Sequence, residues 1–149
     1  MSTASNITSY DLYDAKHSNL FSENIYSIVA KLNKIPTVTT VNLDYNNLND
    51  DNILDQLKFV QTLILSRNDV GDDTARALAK STTLLYLDVV ATNISNEGMA
   101  ILAASKIKTI VTDALRPRKA EQLANSGFII SGKTMRGHPQ YIRVLPDSE

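Results

Sequence analysis

The sequence contains no cysteine and no tryptophan, and it has only five glycines, four prolines and three phenylalanines. The absence of cysteine excludes disulfide frameworks, thiolate metal sites and cysteine nucleophiles. Because aromatic residues make up only 6% of the chain, its core must be built mainly from Leu, Ile, Val and Ala. No apolar run approaches the ~20 residues of a membrane-spanning helix. The composition therefore predicts a globular domain with an aliphatic core and no membrane span.

The start of the chain also lacks the pattern of a secretory signal peptide. Met1 to Tyr10 is polar and has no basic segment followed by an apolar one. Together with the missing cysteines, this favours a reducing, cytoplasmic location. On that expectation, the glycosylation sequons at Asn6 and Asn93 are chance matches.

The charges are nearly balanced overall but unevenly distributed. The formal net charge is -1, which gives no global field that would attract nucleic acid or a membrane. Nine acids and four bases lie between Asp44 and Glu97, whereas eight bases and two acids lie between Lys106 and Arg143. The basic region is either a solvated surface, which we favour, or a docking site for RNA or an acidic protein segment.

A repeated pattern of aliphatic residues dominates the middle of the chain. The segments that begin at Val38, Val60 and Leu84 align without gaps and read L-x-x-L-x-L-x-x-N-x-L, with a threonine replacing the asparagine once. The central L-x-L alternates at period 2, so it predicts a short strand with its aliphatic residues on one face. An asparagine amide in the next slot can satisfy backbone groups where the chain leaves the strand.

Each predicted strand is followed by a segment with helical spacing. Residues 72–79 and 96–103 have this spacing, and both begin with polar or acidic residues suited to a helix start. Weaker or terminal elements complete the prediction: a helical segment at 50–57, strands at 7–12, 107–112, 128–130 and 141–145, a helix at 23–34 that Pro36 ends, and a short helix at 119–126.

The motif and its period of about 22 to 24 residues resemble the leucine-rich-repeat family. The helical segments look like those of the ribonuclease-inhibitor-like branch, where Gly98 matches a small-residue slot that Asn52 and Thr74 occupy in the other copies. The resemblance implies an α/β fold, a leucine-rich-repeat solenoid (right-handed βα superhelix) with a parallel concave sheet and convex helices. It also implies one domain over 1–149, with an N-terminal cap or degenerate repeat at 1–35, regular repeats at 36–112 and a C-terminal cap at 113–149.

The function implied by this resemblance is a non-catalytic, monomeric module that binds a partner protein through the concave sheet. Tyr45, Arg67 and Tyr86 are residue types enriched at binding hot spots. Ile64, Val90 and Val111 are expected to form an exposed apolar strip. The predicted partner-binding residues are the outward-facing residues of the strands: Asn42, Asp44, Tyr45, Ile64, Ser66, Arg67, Tyr86, Asp88, Val90, Thr109 and Val111.

Catalytic and ligand-binding alternatives are weaker. Residues 127–134 match the phosphate-binding pattern G-x-x-x-x-G-K-[ST], but Gly137 and Pro139 follow where that motif needs a helix, so we predict a buried strand and a turn. His17 and His138 lie at opposite ends of the chain, so we expect no metal site. We also expect no cofactor and no enzymatic activity, because a gently curved open sheet offers no cleft for catalysis. Asp44 and Asp88 could be paired catalytic acids, but decoration of a binding face is the favoured interpretation.

Two functional alternatives remain open. One is a nucleic-acid or ribonucleoprotein adaptor that uses the basic C-terminal region, although we do not expect a nucleic-acid partner. The other rests on size and composition, which are similar to those of short bacterial leucine-rich-repeat effectors. Such a protein would be secreted and would act on a host protein in the host-cell cytoplasm.

Overall fold

The structure is a computed structural model, and it describes residues 8–11, 25–46, 48–49, 53–113, 127–133 and 139–143. The predicted helix at 119–126 lies outside the described residues. The elements in chain order are β1 (Ser9–Asp11), α1 (Ile25–Leu32), β2 (Thr40–Asn42), a 3₁₀ helix (Ile53–Gln56), β3 (Thr62–Ile64), α2 (Asp72–Ala79), β4 (Tyr86–Asp88), α3 (Asn96–Ala103), β5 (Thr109–Val111), β6 (Phe128–Lys133) and β7 (Pro139–Arg143).

All these strands form one sheet in the order β1-β2-β3-β4-β5-β7-β6. Neighbouring strands from β1 to β5 are parallel, as expected when each pair is joined by a crossover segment. The last two strands pair antiparallel, and β7 also pairs antiparallel with β5. The strands predicted at 7–12, 128–130 and 141–145 are therefore present as β1, β6 and β7.

The core lies against one face of the sheet, which we call the core face. Val41, Leu63, Leu87 and Ile110 stand side by side in register, and each is 0% exposed. Removing one large aliphatic side chain of this kind from water contributes about 1.5–3 kcal/mol. The helices supply the opposite side of the core through apolar residues at helical spacing: Ile28, Val29, Leu32, Ala75, Leu78, Met99, Leu102 and Ala103.

The repeated asparagine slot works as the sequence predicts. Asn68 is buried, and its amide nitrogen donates to the carbonyl oxygens of Leu43, Leu65 and Ser66 at 2.9–3.1 Å. Its amide oxygen accepts from the backbone N–H groups of Asn46 (2.9 Å) and Leu48 (3.0 Å). One side chain therefore satisfies backbone groups in its own repeat and in the preceding one.

The segment predicted to be helical at 50–57 differs from the equivalent segments in its described part. Among its described residues only Ile53–Gln56 are helical, in a 3₁₀ conformation. The side chain of Asn33, just after α1, binds the backbone at the end of this 3₁₀ helix. Its amide nitrogen donates to the Gln56 carbonyl, and its amide oxygen accepts from the Lys58 N–H. These contacts bind the chain to α1 at the point where a longer helix would continue.

Residues 128–133 of the phosphate-binding pattern form strand β6 rather than a loop. Gly132 and Lys133 pair with Gln140 and Pro139 of β7, with a register shift between Ile130 and Gly132. Because phosphate-binding loops present successive N–H groups outside a sheet, this pairing opposes the nucleotide interpretation. No helix in the described part of the chain is long and apolar enough to cross a membrane.

Candidate functional site

The face of the sheet opposite the core, which we call the open face, carries two rows of side chains in register. The central residues of β2, β3 and β4 point into the core, and the residues on either side of each are half-buried. The first row bears only hydroxyl groups: Ser9, Thr40, Thr62, Tyr86 and Thr109. The second row is mixed: Asp11, Asn42, Ile64, Asp88 and Val111.

Beyond the strand ends, the chain turns through a left-handed residue in three successive repeats. Tyr45, Arg67 and Ala91 have φ angles of 62°, 56° and 57°. Non-glycine residues rarely adopt this conformation, which costs roughly 1 kcal/mol or more. The backbone N–H of Tyr45 donates to the Ser66 carbonyl, and that of Arg67 donates to the Val90 carbonyl. The turns are thus held by the next repeat, and their side chains project at one edge of the open face.

At this edge, three side chains from two adjacent repeats form a cluster, which we call the Tyr45 cluster. The guanidinium of Arg67 binds Asp44 with two hydrogen bonds, Nε to Oδ1 at 3.1 Å and Nη2 to Oδ2 at 2.7 Å. The same guanidinium lies 4.9 Å from the centroid of the Tyr45 ring. A bidentate ion pair and a cation–π contact together fix the orientation of all three side chains.

Burial differs sharply among the predicted binding residues. Tyr45 is 42% exposed. Half-buried positions are Asn42, Ile64, Arg67, Tyr86, Asp88 and Thr109, and buried positions are Asp44, Ser66, Val90 and Val111. The prediction that Tyr45 and Arg67 are strand residues is wrong, because both lie in the left-handed turns.

The predicted apolar strip on the open face is also wrong. Val111 is 0% exposed and Val90 is 6% exposed, whereas Ile64 is half-buried. The sequence pattern assigns these residues to the solvent side by alternation alone. Alternation carries no information about how far other residues shield that side of the sheet from solvent.

Several open-face residues were not identified from the sequence. Ser9, Asp11, Thr40 and Thr62 lie in register with predicted binding residues. Asp113 follows β5; it is exposed, and its Oδ2 accepts from the Ala91 N–H at 3.0 Å. The signal for all five was the repeat alignment itself, since each occupies the slot of a residue already chosen in another repeat.

Among the described residues, no group of three or more His, Cys, Asp or Glu residues could hold a metal ion. Burial raises the pKa of the Tyr141 hydroxyl, but Tyr141 pairs with Ile110 and packs in the core. A small cavity is lined mainly by aliphatic residues of the core, including Leu54, Leu63 and Leu78, and so it is a packing gap between repeats.

Comparison with known proteins supports the repeat assignment. A family model described as "Leucine Rich repeat" matches residues 56–79 and 80–103, two consecutive strand–helix units. This match and the sheet of parallel strands with helices fit an α/β repeat fold. Leucine-rich-repeat domains generally mediate protein–protein interaction. Searches of curated proteins and of solved structures gave no match.

Proposed function

We propose that this protein is a non-catalytic interaction module that binds a partner protein through the open face of its sheet. The observation that carries the proposal is the Tyr45 cluster. It places an exposed tyrosine and an arginine, both hot-spot residue types, at the edge of a face that the helices leave uncovered. Because neighbouring repeats already fix these side chains, little conformational entropy remains to be lost on binding.

The same proposal includes the geometry of the whole domain. We infer that the repeats stack as a right-handed solenoid whose open face is concave, since wide helices on one side and narrow strands on the other curve such arrays. The single sheet that runs from β1 to β6 supports treating 1–149 as one domain. We further propose that the isolated protein is a monomer, which size-exclusion chromatography with light scattering would test.

The site can be tested by cross-linking capture from cell lysate with matched tyrosine variants. Tyr45→Ala combined with Tyr86→Ala removes the two open-face rings, whereas Tyr26→Ala removes a 51%-exposed ring from helix α1. We expect the Tyr45/Tyr86 variant to lose specific partners and the Tyr26 variant to keep them. Arg67→Glu is unsuitable here, because it would place a second carboxylate beside buried Asp44 and disturb the fold.

Two outcomes would contradict the open-face proposal. If only the Tyr26→Ala variant loses its partners, the partner binds the helices rather than the open face. Equal recovery by the wild type and by Tyr45→Ala/Tyr86→Ala, with both proteins shown to be folded by circular dichroism, would also reject it.

The alternative role as a nucleic-acid adaptor rests on the basic residues between Lys106 and Arg143. Of these, only Lys106 and Lys108 have described side chains, and both are exposed near the start of β5. The geometry adds no observation in favour of this role. The effector alternative depends on the organism and on the partner, so the same capture experiment in host lysate addresses it.

A further inference from the structure

The left-handed turns that follow β2, β3 and β4 are linked to one another by backbone hydrogen bonds. The N–H of Tyr45 donates to the Ser66 carbonyl at 3.0 Å, and the N–H of Arg67 donates to the Val90 carbonyl at 2.9 Å. The Ser66 carbonyl and the Arg67 N–H belong to the same peptide group. The two hydrogen bonds therefore form one chain across three repeats, with the dipoles of its peptide groups aligned.

Asp113 ends this chain with its side chain. In the strand ladder two residues earlier, the acceptor is a backbone carbonyl, since the N–H of Val89 donates to the carbonyl of Val111. Two residues further along both segments, the N–H of Ala91 donates to Oδ2 of Asp113 at 3.0 Å. Asp113 thus occupies the repeat position at which the earlier turns supply a carbonyl, and it supplies a carboxylate.

A carboxylate is a stronger acceptor at this position than a carbonyl. Hydrogen bonds to an ionised group are roughly twice as strong as those between neutral groups. A strong acceptor at the end of a chain also polarises the bonds before it, so that they strengthen one another. Because the Ala91 N–H and the Val90 carbonyl share one peptide group, Asp113 strengthens the acceptor that holds the Arg67 N–H.

The turn at Arg67 depends on this support from the next repeat more than the turns beside it. After β2 and β4, a side chain at the strand end holds the turn of its own repeat. Asn42 Oδ1 accepts from the N–H two residues later at 2.9 Å, and Asp88 Oδ1 does the same at 3.0 Å. The equivalent residue of β3 is Ile64, whose side chain has no acceptor atom. The unfavourable positive φ of Arg67 is therefore maintained by its neighbours.

We propose that Asp113 is a positioning residue of the Tyr45 cluster. It acts through the peptide group between Val90 and Ala91, which holds the Arg67 turn and so fixes the direction in which the Arg67 guanidinium reaches its partners in the cluster. An exposed carboxylate that follows β5 thereby orders side chains that follow β2 and β3. The consequence for binding rests on the proposed function, whereas the positioning itself can be measured in the protein alone.

The positioning is tested by NMR measurements of hydrogen exchange in the full chain. Asp113→Ala removes the terminal acceptor, whereas Asp113→Asn keeps an amide oxygen that can accept from the Ala91 N–H without a charge. The matched control is Asp73→Ala, which removes an exposed aspartate from α2 with the same change in net charge. The side-chain probe is the Nε–H of Arg67, which donates to Asp44.

The expected result is a graded loss of protection along the chain of hydrogen bonds. In Asp113→Ala, exchange should accelerate about tenfold at the Ala91 N–H, because its acceptor is removed. It should accelerate about two- to fivefold at the backbone N–H and Nε–H of Arg67, and by less at the Tyr45 N–H. Asp113→Asn should restore most of this protection, and Asp73→Ala should exchange like the wild type. The N–H groups at the strand centres should be unchanged in every variant.

Three results would overturn the inference. Unchanged exchange at Arg67 in Asp113→Ala, with or without faster exchange at Ala91, would show that Asp113 stabilises at most its own neighbour. An equal increase throughout the sheet would show a general loss of stability rather than positioning. An increase of the same size in Asp73→Ala would assign the effect to net charge.

Capture from lysate separates this inference from the proposed function. If Asp113→Ala speeds exchange at Arg67 but neither it nor Tyr45→Ala/Tyr86→Ala changes the captured partners, the open-face function is rejected and the positioning stands. If the Tyr45/Tyr86 variant loses its partners but Asp113→Ala leaves exchange at Arg67 unchanged, the positioning is rejected and the function stands. If both are correct, Asp113→Ala should recover fewer partners than Asp113→Asn.

Discussion

The turns that follow β3 and β4 occupy the same slot of the repeat, but they connect to the preceding repeat in different ways. After β3, buried Asn68 makes five hydrogen bonds, of which three reach residues of the preceding repeat. After β4, half-buried Thr92 donates from its hydroxyl to the Val89 carbonyl at 2.9 Å, a contact within its own repeat.

Polar side-chain contacts between the β3 and β4 repeats are found instead at the start of helix α3. Ser95 caps this helix, and both its N–H and its hydroxyl donate to the Asp72 carboxylate of the preceding repeat. Asn93 likewise donates from its amide to Asp69. A missing asparagine therefore does not break the array, because polar contacts on the helix side connect the same two repeats. These contacts are more exposed than those of Asn68 and should contribute less.

The largest expected effect tests the asparagine side of this comparison. Asn68→Ala should lower the free energy of unfolding by about 3–5 kcal/mol, since several buried backbone groups lose their partner at once. The measurement is urea denaturation followed by circular dichroism. Thr92→Ala is the matched control, with an expected loss of about 1 kcal/mol because one hydrogen bond is removed. Similar losses in the two variants would mean that the two turns are energetically equivalent.

A smaller effect is expected at the Tyr45 cluster. Arg67→Ala should cost about 2 kcal/mol, because the largely buried Asp44 carboxylate loses its ion pair with Arg67, although the partial exposure of Arg67 reduces the penalty. In an Asp44→Asn background the same substitution should cost less. A double-mutant cycle by urea denaturation measures this coupling. No coupling would mean that the ion pair is fully screened by solvent.

Much of the core face could be predicted from the sequence, because the repeated L-x-L pattern ties each aliphatic residue to one side of a strand. Leu63 and Leu87 are buried for that reason, and the slot of Asn68 is explained by the same repeat. The parallel order of β1 to β5 also follows from the repeat. Alternation cannot predict which residues on the opposite face of the sheet are shielded from solvent. Val111 is an example, because it occupies an open-face position and is fully buried.

The Tyr45 cluster itself was only partly predictable. Its residues could be chosen as outward-facing, but the Asp44–Arg67 ion pair needs the lateral offset between two strands and the left-handed turn at Arg67. The residue types do not predict that turn, since arginine and tyrosine do not favour a positive φ. The turn is imposed by backbone hydrogen bonds to the next repeat, which are a property of the assembled sheet.

The contacts at the start of α3 predict that replacing the helical glycine Gly98 by alanine lowers stability, which is the opposite of the usual effect of this substitution in a helix. A Cβ atom added to Gly98 would clash with Oδ1 of Asp72 and would lie 2.7 Å from Cγ2 of Ile94. Gly98→Ala should therefore destabilise the protein by about 1 kcal/mol, although alanine in a helix normally gains a similar amount. In an Asp72→Ala background the penalty should shrink, which thermal unfolding of the four proteins of the cycle would show. An unchanged penalty would assign the clash to Ile94 alone.

The smallest expected effect is a gain, from restoring the asparagine that the β4 repeat lacks. In Thr92→Asn, the new amide can donate to the Val89 carbonyl as the threonine hydroxyl does. Its oxygen can also approach the N–H groups of Asn68 and Val70, which correspond in the repeat to those of Asn46 and Leu48 that Asn68 binds. We expect a gain of about 0.5–1 kcal/mol in the free energy of unfolding, measured by urea denaturation. If the turn contacts at residue 92 and the helix-side contacts to Asp72 stabilise the same interface between repeats, Asp72→Ala should enlarge that gain. Strict additivity would show instead that the two sets of contacts stabilise the repeats independently.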